Sequence, residues 1–198
     1  MKNCVTGGIM LLSSNFEIGI MPDKIERIKK LVKDEYCFGD DYDYHTLLVV
    51  KYAKMLADKL HADKQITELA ALLHDIGVKD RDDIHERVGA ERAEKILKEL
   101  DYSEDIIERV KACISTHRTS GRPKSKEAEI IRNADAMAHI SALPFLIKIK
   151  SDRGSSLDDA IEWVRNKILV KAAKKLTLPL ARKIIKKKYD AAKILLKD

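Results

Sequence analysis

The apolar residues of this 198-residue chain recur at intervals of three and four along nearly its whole length. That is the spacing of one face of an α-helix, and little interrupts it, because only 8 glycines and 4 prolines are present. A β-sandwich turning every ten or so residues needs more breakers, so the same count argues against it and excludes collagen-like and Pro/Gly-rich chains. The spacing predicts helices near 22–37, 45–60, 64–76, 84–100, 103–118, 125–140, 156–175 and 178–197, with a short apolar piece after Ala142. Gly39-Asp40-Asp41 separates the first two, Gly77 follows the third, Gly121-Arg122-Pro123 breaks before the sixth, and 151–156 is a polar loop. Ser103 with Glu104-Asp105 has the form of an N-cap followed by first-turn acids. With 45% hydrophobic residues the chain can bury a core, and its length is that of one domain. The expectation is an all-α, single-domain helical bundle over 21–198. Residues 1–20 are set apart as an N-terminal extension, since Met10 and Met21 are alternative starts and Pro22-Asp23 opens the first convincing helix.

Three cysteines, Cys4, Cys37 and Cys113, are odd in number and widely spaced, which suggests neither a disulfide framework nor a CxxC metal motif and fits a reducing cytoplasm. Cys113 lies on an apolar stripe and reads as a small core residue. The head of the chain is too short in apolar residues for a secretory leader, and no later stretch approaches a membrane span. A cytoplasmic protein is expected.

The net charge of +6 is not evenly spread. Residues 165–198 hold 12 Lys and Arg against two acids, which leaves 26 basic against 30 acidic residues before them. The basic C-terminal helices, 156–197, are either a nucleic-acid or polyphosphate surface or the solvated face of amphipathic helices. Only Tyr189 interleaves with the lysines, so stacking on bases has little support and nucleic acid is not the expected partner. The second reading puts Leu180, Ile184, Ile185, Ala191, Ile194 and Leu195 against the core. The same helices also offer a face for a homodimer.

Chemistry enters through the histidines. His45 heads the stripe Val49, Tyr52, Ala53, Leu56, Leu60, and His74 follows Ile66, Leu69, Ala70 and Leu73. His85 shares a face with Gly89, Ala93, Ile96 and Leu100, and His117 ends Ile106, Val110, Cys113. Asp135 lies within the apolar face Ala128, Ile131, Ala138, where a carboxylate is expensive unless paired or bound to a metal. A single inward histidine is usually a satisfied core residue. Four of them, with Asp75 and Asp135 on inward stripes of five helices, are better explained by convergence on a divalent-metal shell. His61, among Lys and Asp past a helix end, reads as exposed. His139, one turn beyond Asp135, either supports that residue or has no role.

The order His45, His74-Asp75, Asp135 on successive helices resembles the HD-domain superfamily of metal-dependent phosphohydrolases. The segments HTLLVVKYAKMLA, ITELAALLHDIGV, HERVGAERAEKIL, ISTHRTSGRP and EAEIIRNADAMAHI carry the resemblance, over about residues 40–140. It implies a bundle of the HD-domain type in which His45, His74, Asp75 and Asp135 hold one metal ion. It also implies that His85 and His117 hold a second, bridged to the first by Asp75. With one ion only, those two histidines contact phosphate or shuttle protons instead. A His/Asp shell suits manganese, iron, nickel, cobalt, magnesium and zinc alike, so one or two divalent ions are expected without a choice among them. Lys79, Arg81, Arg118 and Arg122, in loops beside these residues, are candidates for substrate phosphate, each weighed against a plain surface charge. Two departures leave the substrate branch open: Val78 stands where many members have lysine, and AMAHISALP replaces an acidic-Pro-Arg continuation.

The function implied is hydrolysis of a phosphoester or phosphoanhydride in a small phosphorylated molecule, a nucleotide first among them, with Asp75, His85 and His117 at the chemistry. Two alternatives stand beside it. One is a non-catalytic helical module that binds through the basic C-terminal helices, and the other is a metal-stabilised helical protein with interaction function only.

Overall fold

The computed structural model describes residues 23–35, 42–78 and 84–197, which carry helices and, among the described residues, no strand. After α1 (Lys24–Glu35), a π-helical turn (Tyr42–Thr46) leads into α2 (Leu47–Leu60), followed by α3 (Lys64–Leu73), α4 (His85–Glu99), α5 (Glu104–Ser115) and α6 (Lys126–Ser141). α7 (Leu143–Asp152) and α8 (Leu157–Trp163) come next. A π-helical segment (Val164–Leu169) joins α8 to α9 (Val170–Lys175), and α10 (Pro179–Leu195) ends the order. Each helix expected from the periodicity is present, with ends within a few residues. The apolar piece after Ala142 proves to be the ten-residue α7. Residues 1–20, Cys4, Cys37, Gly39-Asp40-Asp41, Lys79 and Arg81, for which the sequence raises expectations, lie outside the described residues.

The caps explain several boundaries. Asp63, Ser125 and Ser156 accept from Ile66, Ala128 and Asp159 backbone N–H groups, each at 3.1 Å, satisfying donors left over at helix starts. Ser103 occupies the N-cap position of α5 as expected, but its side chain makes no capping bond there.

α6 is the axis of the bundle. It packs against α2, α3, α5, α9 and α10, and 11 of its 16 residues are buried. The alanines Ala128, Ala134, Ala136 and Ala138 let those neighbours approach closely. Asn133, fully buried on this helix, accepts from the backbone N–H of Thr177 and Leu178 (both 3.0 Å) and donates to Thr177 Oγ1 and the Glu129 carbonyl (both 2.9 Å). This clamp ties the α9–α10 corner to the axis. α10 is also held by Lys188, whose ammonium donates to Tyr52 Oη and Ser141 Oγ at 3.3 and 3.1 Å.

The C-terminal stripe differs from the expectation. Ala181, Ile185, Ala192 and Leu196 face the core, with Leu180 and Ile184 packed at its margin, whereas Ala191, Ile194 and Leu195 are exposed. The reason is register: 181, 185, 192 and 196 keep one helical face to the last turn, and 191, 194 and 195 rotate off it. Among the described residues, no helix is long and apolar enough to cross a membrane.

Cys113 lies fully buried on α5, and loss of solvent pushes its thiol up to about 12. Since the thiolate is the reactive form, Cys113 should escape iodoacetamide at mildly alkaline pH in the native protein and react once urea unfolds it. Peptide mass mapping of the two samples checks this.

Candidate metal centre

The local structure around His74-Asp75 explains how two adjacent residues reach one place. α3 ends at Leu73, and the chain then turns tightly through Ile76 N to Leu73 O (3.1 Å) and Val78 N to Asp75 O (3.0 Å). Arg92 of α4 donates to the Ile76 carbonyl (2.8 Å) and pairs with Glu35 (2.8 Å), fixing the turn from outside. Gly77 allows α4 to come in close: a Cβ there would lie 2.5 Å from both His85 O and Gly89 N. Backbone against backbone cannot relax cheaply, so glycine is required if His85 is to stand beside Asp75.

His45 projects from the π-helical turn, His117 follows α5, and Asp135 comes from the middle of α6. The six residues fall into two clusters, His45, His74, Asp135 and Asp75, His85, His117. Asp75 joins them: its Oδ2 lies 3.4 and 3.2 Å from Nε2 of His45 and His74, and its Oδ1 lies 3.3 and 3.4 Å from Nε2 of His85 and His117. His45 Nε2 is 3.2 Å from His74 Nε2 and 3.5 Å from Asp135 Oδ1, while His85 and His117 have Nε2 atoms 3.3 Å apart.

These donors suit a cation. His74 Nδ1 donates to the Ala71 carbonyl (2.8 Å) and His117 Nδ1 to that of Ile114 (2.6 Å), so in each neutral ring the Nε2 lone pair faces the centre. The hydrogen on His139 Nδ1 goes to the Asp135 carbonyl (3.1 Å). Asp135 Oδ1, 2.9 Å from that nitrogen and buried, keeps no hydrogen bond among the described residues. Lone pairs converging without protons repel unless a positive centre lies between them. Ligand atoms about 2.1 Å from one ion stand roughly 3.0–3.4 Å apart, close to the separations found here.

The electrostatics agree. Burial alone would raise the Asp75 carboxyl, but His74, His117 and His45 outweigh it and hold it well below the usual range. Asp135 is likewise held down against burial by Lys175, His139 and His45. Burial lowers His45 and His117, whereas for His74 it is overcome by Asp75 and Asp135, which raise that imidazole to about 8.

The centre opens into a cavity of about 670 Å³. Arg118, Thr119 and Ser120 line one side of it. The loop that carries them is gripped by Arg132, which donates to the carbonyls of Gly121 (2.6 Å) and Thr119 (3.0 Å), and Arg118 pairs with Glu86 at 3.0 Å. Arg122 is exposed and does not line this cavity; the turn over 118–121, closed by Gly121 N to Arg118 O (3.0 Å), lies between it and His117. His61 is exposed, and His139 packs on His45 with ring centroids 4.6 Å apart.

Lys175 is the residue that sequence reasoning missed. It is buried at the end of α9, and its ammonium bonds Asp135 Oδ2 from 40 residues away. In sequence it is one of 12 C-terminal basic residues, and only the Asn133 clamp two residues on marks it out.

The HD domain family profile matches residues 42–139. The chain is 28% identical over 181 residues to ribonuclease Y of Thermoanaerobacter pseudethanolicus, covering 86% of this chain and 34% of that protein. A second ribonuclease Y, from Treponema pallidum, is 31% identical over 128 residues, covering 62% of this chain and 24% of its own length, so the chain spans about a third or less of these curated relatives. In fold it is similar to an HD-superfamily hydrolase from Bacillus thuringiensis (TM-score 0.66, 22% identity, 88% and 93% of the two chains covered). It is similar as well to Bacillus subtilis YpgQ in complex with ADP (TM-score 0.66, 24% identity, 84% and 88% covered).

If Gly77 sets the distance between the two clusters, Gly77→Ala should keep the helical circular dichroism of the parent, melt several degrees lower and bind Mn²⁺ at least about tenfold more weakly. Isothermal titration with Mn²⁺ measures the last of these.

Proposed function

Because the chain belongs to the HD-domain superfamily, we propose that it is a metal-dependent phosphohydrolase, cleaving a phosphoester or phosphoanhydride of a nucleotide or related small molecule. The observation that carries this reading is the pair of donor clusters joined by the two oxygens of Asp75 at the foot of a cavity. His45, His74, Asp135 and Asp75 would hold one divalent ion, and Asp75, His85 and His117 a second. Bound there, such ions polarise a phosphoryl group and supply an activated water at neutral pH.

The chain's own residues account for the rest. Asp75 spans both clusters and fixes their spacing. The Ala71 and Ile114 carbonyls take the Nδ1 hydrogens of His74 and His117, so Nε2 is the atom each neutral ring would offer to an ion. Lys175 holds Asp135 so that Oδ1 faces His45. Lys175 is also among the residues that line the cavity, where its charge would meet negative charge building on phosphoryl oxygens. Arg118, beside His117, is placed for the same task. No side-chain nucleophile is needed. The ADP in the YpgQ complex supports a nucleotide substrate, and the ribonuclease Y relatives put an RNA phosphodiester in the test panel.

Asp75→Ala and Asp135→Ala should each abolish Mn²⁺-dependent hydrolysis of nucleoside phosphates with helical content near that of the parent. Residual activity within about tenfold of the parent in either would refute the mechanism. Elemental mass spectrometry of parent protein purified without chelator should find about two ions per chain.

Lys175→Met should lower kcat about 100-fold, the scale of losing one fixed charge partner in a transition state, and Lys175→Arg should recover part of it. Steady-state kinetics of the two variants decide this, and thermal melts of the ion-loaded proteins separate it from unfolding.

A further inference from the structure

The wall of the cavity opposite the six donors is built after the HD domain segment, by α7, α8, the π-helical segment and α9. Phe145 and Ile149 stand one turn apart on α7, and Trp163 and Ile168 face the same space from the next helix. In an uninterrupted α-helix, positions 163 and 168 would point about 140° apart. The π-helical segment Val164–Leu169 closes i→i+5 instead and brings them to one side. From Ile168 the regular spacing resumes, so Lys171, Ala172 and Lys175 continue along the same face into the cavity. One continuous helix therefore presents an apolar, aromatic end and a cationic end to a single space. Phe145 is further propped by Tyr44, with ring centroids 5.1 Å apart and planes inclined by 19°.

Aromatic and aliphatic side chains beside Lys171 and Lys175, with Arg153 one turn past Ile149 on the same cavity, match a planar base joined to phosphates, and the volume is in the range of nucleotide-sized sites. We propose that Phe145, Ile149, Trp163 and Ile168 seat a nucleobase while Lys171 and Lys175 face its phosphates. The substrate is then a nucleoside polyphosphate and not a base-free phosphoester or inorganic polyphosphate. This deepens the phosphohydrolase reading and rests on it for the position of the phosphates. The base seat itself is carried by the wall.

Trp163 is the single tryptophan of the chain, so its emission reports on this wall directly. Full-length protein with Mn²⁺ is mixed with ADP, pyrophosphate or a short 5′-phosphorylated oligoadenylate, and emission is read on mixing, before turnover. ADP should change it saturably, pyrophosphate should displace ADP without producing the change, and Phe145→Ala should weaken ADP about tenfold, as loss of one stacking partner does. Ile149→Ala, a milder truncation, should weaken it in the same direction. A change with the oligoadenylate and none with ADP would keep the base seat and assign it to an RNA end. Equal affinity for ADP and pyrophosphate with silent emission overturns the inference even if hydrolysis is present. An ADP-dependent change in a protein that hydrolyses nothing upholds the seat and refutes the phosphohydrolase reading.

Discussion

Two ionised carboxylates, Asp135 inside a helical core and Asp75 part-buried at the foot of its cavity, are drawn out of water, and much of the polar structure around them offsets what that costs. An isolated buried carboxylate is destabilised by several kcal/mol, and in practice takes up a proton unless compensated. Here each is answered from several directions. Asp75 faces His45, His74, His85 and His117, and Asp135 faces His45, His139 and Lys175. The partners are held in turn: His74 and His117 through Nδ1, Lys175 by the clamp of Asn133 on the next corner, and the turn after Asp75 by Arg92. The arrangement keeps both carboxylates negative without a proton, which is the state a cation requires.

Geometry follows from that constraint. The donors come from five separate stretches of chain, and they meet only if the backbones approach closely at a few points. Gly77 against α4 is one such point, and the alanine-rich faces of α6 supply others. The two π-helical segments serve the same end, one delivering His45 and the other turning Trp163 into line with Lys175. The donors lie within the HD domain segment, whereas the far wall of the cavity lies after it. On the proposed reading, the floor that would hold the ions belongs to the family segment and the base seat to the part of the chain after it.

The helices were legible in the sequence because an amphipathic face is a local property that a window of a dozen residues already shows. The inward histidines and aspartates were legible for a related reason, since a polar residue on an apolar stripe conflicts with the pattern around it, and the HD motif order gathered them into one set. Lys175 was not legible. It sits beside Lys174 in a basic run, and what distinguishes the two is a hydrogen-bonded corner formed with Asn133. Nor was the π-helical segment, because one extra residue per turn leaves short-range periodicity nearly intact while rotating everything beyond it. Ile194 and Leu195 mislead for the converse reason, being apolar at helical spacing near the end of α10 yet turned off the face that Ala192 and Leu196 keep against the core. Arg122 was placed by adjacency in sequence to His117, and the turn at Gly121 parts the two.

The enclosure of α6 also sets how the centre comes apart. A segment packed on all sides opens only when the whole molecule does, so the amide hydrogens around Asn133 and Asp135 should exchange with solvent on the timescale of global unfolding. His85 stands at the other extreme, as the first residue of α4, where helix ends fray in small, frequent excursions. The two halves joined by Asp75 should therefore have unequal lifetimes: Asp135, on α6, should stay in place as long as the fold does, and His85, at the start of α4, should leave and return within that span.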